Sequence, residues 1–169
     1  MKKFGSLIML AVVAACAHDA LAANGPRIMV VGDSITYGMT VPTDTPGGYR
    51  TNFYQTMQAQ SANLLFVGSS TANPSTVLTN AGQTAHNGYG GWTVASDVYS
   101  AMDNFNYHMN DWLQTSNPDV VTIVGGVNDL LLLQGALGNT PSVSATRTAN
   151  SMDQLLGKIF TYKPSTQVF

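Results

Sequence analysis

Charged side chains are scarce in this chain of 169 residues, which has seven lysines and arginines, nine aspartates and no glutamate. So few basic residues, with a formal net charge of −2, exclude the positive surface that nucleic-acid binding requires. Hydrophobic residues make up 44% of the sequence, so the composition also lacks the signature of intrinsic disorder. The length and composition predict one folded domain with a polar, nearly uncharged surface.

Cysteine is almost absent, because Cys16 is the only one in the sequence. An intrachain disulfide is therefore excluded, as is a metal site built from cysteines. The histidines and aspartates show no metal-ligand spacing, and neither a dinucleotide-binding glycine motif nor a phosphate-binding loop is present. We therefore expect no metal and no cofactor.

The N-terminal apolar run at residues 7–17 is too short to cross a bilayer as a helix. It follows Lys2 and Lys3 and precedes small residues at positions 20 and 22, a pattern typical of a signal peptide. Residues 13–16 (VAAC) also resemble a bacterial lipoprotein signal. We expect a signal peptide at 1–22, a mature domain at 23–169, and a secreted or periplasmic protein attached to a membrane only if Cys16 is lipidated.

Short apolar runs alternate with helical patterns along the mature chain. Buried strands are expected at residues 28–31, 63–68 and 120–124, with another beginning at 166. Helices are expected at residues 47–62, 94–102, 105–115 and 143–162. The polar stretch at 69–91 is expected to be a long surface loop. This alternation predicts an α/β architecture, with a parallel sheet and helices on both faces.

Glycines and polar residues follow the predicted strands, where ligands bind in open parallel sheets. Ser34 follows the first strand, Asn128 follows the strand at 120–124, and a glycine-rich loop at 87–93 (NGYGGWT) lies between them. A serine at such a turn can attack a carbonyl, and backbone N–H groups and an asparagine amide can stabilise the resulting oxyanion. The pattern predicts a nucleophile candidate with three oxyanion donors.

Each of these features also has a purely structural interpretation. Ser34 can cap a helix, and Asn128 and Asp129 can cap the helix that follows them. Gly90 and Gly91 can form an ordinary flexible turn. The occurrence of all three features at strand or loop ends favours the catalytic interpretation.

Several motifs resemble those of the SGNH, or GDSL, hydrolase superfamily. Its first three blocks are similar to residues 32–36 (GDSIT) with Gly38, to Gly91, and to residues 126–129 (GVND). Further stretches resemble carbohydrate esterase family 3, which includes acetyl xylan esterases: 31–38 (VGDSITYG), 47–50 (GGYR), 66–69 (FVGS), 86–93 (HNGYGGWT) and 118–121 (PDVV). This resemblance implies the SGNH hydrolase fold, a flavodoxin-like three-layer α/β/α sandwich with a five-stranded parallel sheet.

The resemblance also implies roles for individual residues. Ser34 is the implied nucleophile, and the backbone N–H groups of Ser34 and Gly91 form the oxyanion hole with the side chain of Asn128. Gly91 matches the family better than Gly90, because the family glycine is commonly followed by one residue and then a hydroxyl residue. Asp33 and Asp129 are implied supports of the site turns.

Two residues beside the glycines, His86 and Trp92, are candidate substrate contacts. The family's general base, a histidine in a late Asp-x-x-His block, has no counterpart in this sequence. None of the three histidines (His18, His86 and His108) has an aspartate three positions before it. A serine hydroxyl is a poor nucleophile without a base. We therefore expect a sequence that is incomplete at the C-terminus, an active full-length protein and an inactive fragment.

The expected function is that of a secreted, monomeric serine esterase that hydrolyses O-acetyl groups on plant cell-wall polysaccharide or a small ester. One alternative is a GDSL esterase resembling lipases or lysophospholipases, which has the same blocks and a different substrate cleft. Another is a non-catalytic carbohydrate-binding relative that lost the base. The polar stretch at 69–91 favours a sugar over a lipid.

Overall fold

The computed structural model describes residues 25–39, 45–98 and 103–169, so the signal peptide predicted at 1–22 lies outside the described residues. Five strands form one parallel sheet: β1 (Arg27–Gly32), β2 (Leu65–Val67), β3 (Asn87–Gly88), β4 (Val120–Val124) and β5 (Gln167–Val168). β1 is central, because it pairs with both β2 and β3 on one side and with β4 on the other. β5 pairs with the outer side of β4.

Six helices connect the strands: α1 (Ser34–Tyr37), α2 (Tyr49–Ala59), α3 (Thr76–Asn80), α4 (Phe105–Ser116), α5 (Val127–Gly135) and α6 (Pro141–Tyr162). Side-chain caps fix where the two longest of these begin. The Asn104 side chain accepts a hydrogen bond from the Tyr107 N–H at 2.7 Å, and Thr140 caps α6 just before Pro141. No helix within the described ranges is long and apolar enough to cross a membrane.

Alternate residues of β1 enter two separate hydrophobic cores, as expected for a strand covered on both faces. Met29 and Val31 pack with residues of α4 and α6. Ile28 and Val30 pack with residues of α2 and α3 on the opposite face. The result is a three-layer α/β/α sandwich, which confirms the predicted fold class.

Two local predictions from the sequence were wrong. The stretch at 69–91 is not a surface loop throughout, since it contains α3 and β3, and its residues 86–88 are buried. β3 carries no apolar run that would have indicated a strand, and it forms by pairing with the end of β1. Residues 94–98 are not helical, and the N–H groups of Val94 and Ala95 donate to the carboxylate of Asp129. Residues 99–102 of that predicted helix lie outside the described ranges.

Candidate active site

The motif that contains Ser34 follows β1, and the motif that contains Asn128 follows β4, so the carboxyl ends of these two strands bring them together. Gly32 pairs with Val124 in the parallel register, and the Asp33 N–H donates to the Val124 carbonyl at 3.3 Å. Ser34 is the first residue after that contact on one strand, and Asn128 lies in the first turn of α5 after the other. Neighbouring parallel strands therefore place these two motifs at the same edge of the sheet.

Ser34 begins the short helix α1, and the residue before it provides the cap. The Asp33 side chain accepts a hydrogen bond from the Ile35 N–H at 3.0 Å, which leaves the half-buried Ser34 without a capping role. The structural interpretation of Ser34 as a helix cap therefore does not apply. The N–H of Ser34 lies at the helix N-terminus, where backbone donors can face an anion.

The glycine-rich loop starts beside α1. The Tyr89 N–H donates to the Gly32 carbonyl at 2.9 Å, directly after β3. Gly88 allows close approach to α1, since a Cβ there would lie 2.7 Å from the Tyr37 nitrogen. Gly91 is exposed and has a φ of +79°, a conformation that glycine adopts without strain. An ester carbonyl can therefore approach the backbone N–H of Gly91.

The Asn128 amide bridges α5 and the glycine loop. One of its N–H groups donates to the Trp92 carbonyl at 2.9 Å. A side-chain amide carries two N–H donors, so this bond fixes the side chain and leaves the second donor for an oxyanion. α5 itself begins after Gly126 with no side-chain capping bond, so the helix-cap interpretation of Asn128 does not apply.

Asp129 fastens the segment that follows the glycine loop. Its fully buried carboxylate accepts hydrogen bonds from the N–H groups of Val94 and Ala95, both at 2.8 Å. Hydrogen bonds to a charged acceptor are stronger than those between neutral groups. Asp129 therefore connects α5 to the segment that follows the glycine loop, and its role as a support of the active site stays a prediction.

Asp33 is the second buried carboxylate of this region and directly precedes Ser34. Its Oδ1 caps α1, whereas its Oδ2 is buried without a hydrogen-bond partner in the described part of the chain. Burial raises the pKa of Asp33 above its ordinary value, and the charge of Asp129 adds to this effect. Through its capping bond Asp33 fixes the turn before Ser34, and its role as a support of the active site stays a prediction.

The placement of His86 disagrees with its predicted contact with substrate. Its ring is fully buried, with Nδ1 accepting from the Gly88 N–H at 2.9 Å and Nε2 donating to the Ala72 carbonyl at 2.8 Å. Burial, together with the nearby charge of Arg50, lowers the pKa of His86 to about 4. His86 is a neutral support of β3, and neither ring nitrogen is available to deprotonate a serine.

Trp92, the other candidate substrate contact, belongs to an aromatic stack beside the oxyanion donors. Its ring stacks on Tyr89 at 4.1 Å and on His108 at 4.9 Å between centroids. Trp92 is partly exposed and lines a cavity that also contains Gly91 and Asn128. The contact of Trp92 with substrate remains a prediction.

Arg50 belongs to the GGYR motif of the resembling stretches, and no role for it was predicted. Its guanidinium is fully buried and donates to three backbone carbonyls, those of Thr36 at 3.1 Å and of Asn73 and Thr84 at 3.4 Å. Burial lowers the pKa of Arg50 to about 10. Arg50 thereby ties α1 to two distant segments, a task that only the position of its motif (GGYR) in the resembling blocks pointed to.

The described residues bring Ser34, Gly91 and Asn128 to the same edge of the sheet, and two histidines in these ranges are candidate bases. Of the two histidines in these ranges, His86 is occupied by its hydrogen bonds, and His108 stacks on Trp92 and Trp112. No group of three or more His, Cys, Asp or Glu side chains in the same ranges can hold a metal ion. The chemistry that these groups support is attack on a carbonyl with stabilisation of the resulting oxyanion.

Comparison with known proteins agrees with this geometry. A family 3 carbohydrate esterase from Clostridium thermocellum is 33% identical, with a TM-score of 0.65 over 86% of this chain and 60% of that one. A family 3 carbohydrate esterase from Talaromyces cellulolyticus has a TM-score of 0.60 at 20% identity, over 85% of this chain and 59% of that one. The chain thus spans about 60% of the length of these structures.

A "Putative endoglucanase X" from Acetivibrio thermocellus is 44% identical over 62 residues, which are 37% of this chain and 23% of that protein. The family model described as GDSL-like lipase/acylhydrolase matches residues 28–162. Because that match covers most of the chain, including the segments that carry Ser34, Gly91 and Asn128, the chain belongs to the GDSL-like lipase/acylhydrolase family.

Proposed function

We propose that the protein is a serine esterase in which Ser34 is the nucleophile. The observation that carries this proposal is the Asn128 amide, held on the Trp92 carbonyl with one N–H donor left over. This donor, the N–H of Gly91 and the N–H at the start of α1 are groups of the type that stabilises a carbonyl oxygen as it gains charge. If Asn128 were only a helix cap or a packing residue, its amide would not need a second N–H donor beside the N–H groups of Gly91 and α1.

In the proposed reaction, Ser34 Oγ bonds to the ester carbonyl carbon while its proton passes to a base. The tetrahedral intermediate collapses as the alcohol leaves with a proton, and water then hydrolyses the acyl-enzyme to free Ser34 and a carboxylic acid. His86 cannot be this base, because its nitrogens are occupied and burial opposes its protonation. We therefore propose that residues 1–169 alone turn over no ester, because His86, in the described part of the chain, cannot serve as the base.

The proposed substrate is an O-acetyl ester on a cell-wall polysaccharide. The printed name of the Clostridium thermocellum relative, a family 3 carbohydrate esterase, supports a carbohydrate ester. Export by the signal peptide at 1–22, a secreted or periplasmic location, possible lipidation of Cys16 and a monomeric state complete the proposal. Export and lipidation rest on the sequence pattern of residues 1–22, with its short apolar run and small residues at positions 20 and 22.

The proposed function is tested by replacing Ser34 with alanine in the full-length protein. We expect turnover of p-nitrophenyl acetate and acetylated xylan to fall about a thousandfold or more, with little change in the free energy of unfolding. Ser165→Ala, an exposed serine far along the chain, is the matched control and should retain full activity. Activity of Ser34→Ala within a few-fold of wild type would refute the assignment, and xylan binding without turnover by wild type would indicate a carbohydrate-binding relative.

A further inference from the structure

A cavity of about 520 Å³ opens beside the oxyanion donors. Its lining consists of Gly90, Gly91, Trp92, Asp103, Asn128, Leu131 and Leu132. Ligand pockets of proteins commonly measure about 300–1,000 Å³, with a mostly apolar lining and a few polar groups that orient the ligand. Its size and lining are therefore those of a ligand site.

The same helix presents the oxyanion amide and the apolar wall of the cavity. Leu131 and Leu132 follow Asn128 by three and four positions on α5, so the three side chains share one helix face. An ester carbonyl bound to Asn128 and Gly91 would therefore direct one of its two substituents towards these leucines.

Leucine side chains match methylene groups and leave sugar hydroxyls without hydrogen-bond partners. The side chain of Leu131 is 67% exposed to solvent. A ligand that covers this apolar surface removes it from water, which favours binding. The acyl group, rather than the alcohol, therefore suits this wall. An acetyl group, with a single methyl beyond its carbonyl, would fill only a small part of the cavity.

We propose that this cavity binds the acyl part of the ester and accepts chains longer than acetyl, such as butyryl and hexanoyl. The inference rests on the proposed esterase function and extends it to acyl-chain selectivity. Leu131 is the residue expected to set that selectivity, because it is the most exposed apolar side chain of the lining. Each methylene buried against it should tighten binding about fourfold.

The test compares the full-length wild type with Leu131→Asn and with a matched control, Leu137→Asn. Leu137 is 50% exposed and does not line the cavity. For p-nitrophenyl acetate, butyrate and hexanoate, we expect wild-type kcat/KM to be equal to or higher for the longer esters. Leu131→Asn should lower the hexanoate-to-acetate ratio about fourfold or more, whereas Leu137→Asn should leave the ratio unchanged.

A second measurement does not depend on turnover. Trp92 lines the cavity, so its fluorescence should report the binding of acetate, butyrate and hexanoate, the acids that such esters release. We expect butyrate, with two more methylenes, to bind about sixteenfold more tightly than acetate to wild type and to Leu137→Asn. Leu131→Asn should lose most of this difference.

The outcomes separate this inference from the proposed function. Turnover of acetate alone, with equal affinities for the three carboxylates, would overturn the inference and leave the esterase function standing. Equal shifts in both leucine variants would also overturn it. If no ester is hydrolysed in a Ser34-dependent way, the proposed function fails, and the carboxylate titration still decides whether the cavity binds acyl chains.

Discussion

Asn128 is the residue whose contacts define its role most narrowly. One N–H of its amide is fixed on the Trp92 carbonyl, and the other is the proposed oxyanion donor. We predict that Asn128→Ala lowers kcat about 100- to 1,000-fold, because losing one oxyanion donor typically has this cost. KM should change little, since the lost bond strengthens only as charge develops on the carbonyl oxygen.

The check is steady-state kinetics of the full-length protein with p-nitrophenyl acetate. Asn110→Ala, which removes an exposed asparagine of α4, serves as the control. A rise in KM at constant kcat would place Asn128 in ground-state binding and would remove it from the oxyanion hole.

His86 makes the stability of the protein depend on pH. Its pKa is about 4 in the folded state, against 6.5 for an ordinary histidine, so the unfolded state binds more protons between these values. The contribution of neutral His86 to the free energy of unfolding is therefore fully present above pH 6.5. It is lost as the pH drops towards 4, by about 3 kcal/mol in total. Asp33, whose pKa is raised, acts in the opposite direction.

Comparing wild type with His86→Gln isolates the histidine, because Asp33 contributes equally to both. Glutamine retains one donor and one acceptor but does not titrate. Urea unfolding at pH 7, 5.5 and 4.5 should show the free energy of unfolding of wild type falling relative to that of the variant. A constant difference across this range would contradict the buried, neutral state of His86.

At the residue scale, the sequence predicted the positions of Ser34, Gly91 and Asn128 but not those of His86 and Arg50. The first three follow strands or glycines, and this pattern is local. The surroundings of His86 and Arg50 depend on segments far away in sequence, such as the carbonyls of Asn73 and Thr84 that accept from Arg50. No local pattern encodes such contacts.

Among the secondary-structure elements, α5 is joined to residues 94–95 by the carboxylate of Asp129, close to the proposed oxyanion donors. The backbone N–H groups of Val94 and Ala95 both donate to the Asp129 carboxylate. In Asp129→Asn, an amide NH2 group would face one of these two donors, which would then lack an acceptor. We predict a loss of about 1–3 kcal/mol in the free energy of unfolding, because a buried donor loses its partner. We also predict a lower kcat, because the glycine loop is no longer fixed against α5.

Asp153→Asn, at an exposed position of α6, is the control for the removal of one negative charge. Thermal unfolding and esterase kinetics of both variants provide the comparison. Unchanged stability and kcat in Asp129→Asn would show that the two hydrogen bonds do not position the loop.

The elements that the sequence predicted correctly are those with apolar periodicity, such as β1, β4 and α6. β3 was missed because a two-residue strand of Asn87 and Gly88 has no such pattern and depends on its pairing with β1. Residues 94–98 were misassigned because their apolar spacing suggested a helix. The buried carboxylate of Asp129 accepts from the N–H groups of Val94 and Ala95, a contact between segments far apart in sequence that no local pattern encodes.

For the whole molecule, the parallel order of the sheet explains how motifs far apart in sequence form one site. β1 pairs with β3 on one side and with β4 on the other, so the three segments that follow them meet at one edge. This convergence was predictable from the alternation of strands and helices. The cavity lined by Leu131 was not, because it depends on how α5 packs beside the glycine loop.

The central claim, that Ser34 is the nucleophile of an esterase site, is tested most directly by covalent labelling. The full-length protein is incubated with diethyl p-nitrophenyl phosphate, an organophosphate that phosphorylates activated serines, and its peptides are mapped by mass spectrometry. We predict one diethylphosphoryl group, on Ser34, with no labelling of Ser34→Ala and slower labelling of Asn128→Ala. A label on another residue with Ser34 unmodified, or equal labelling of Ser34→Ala, would contradict it.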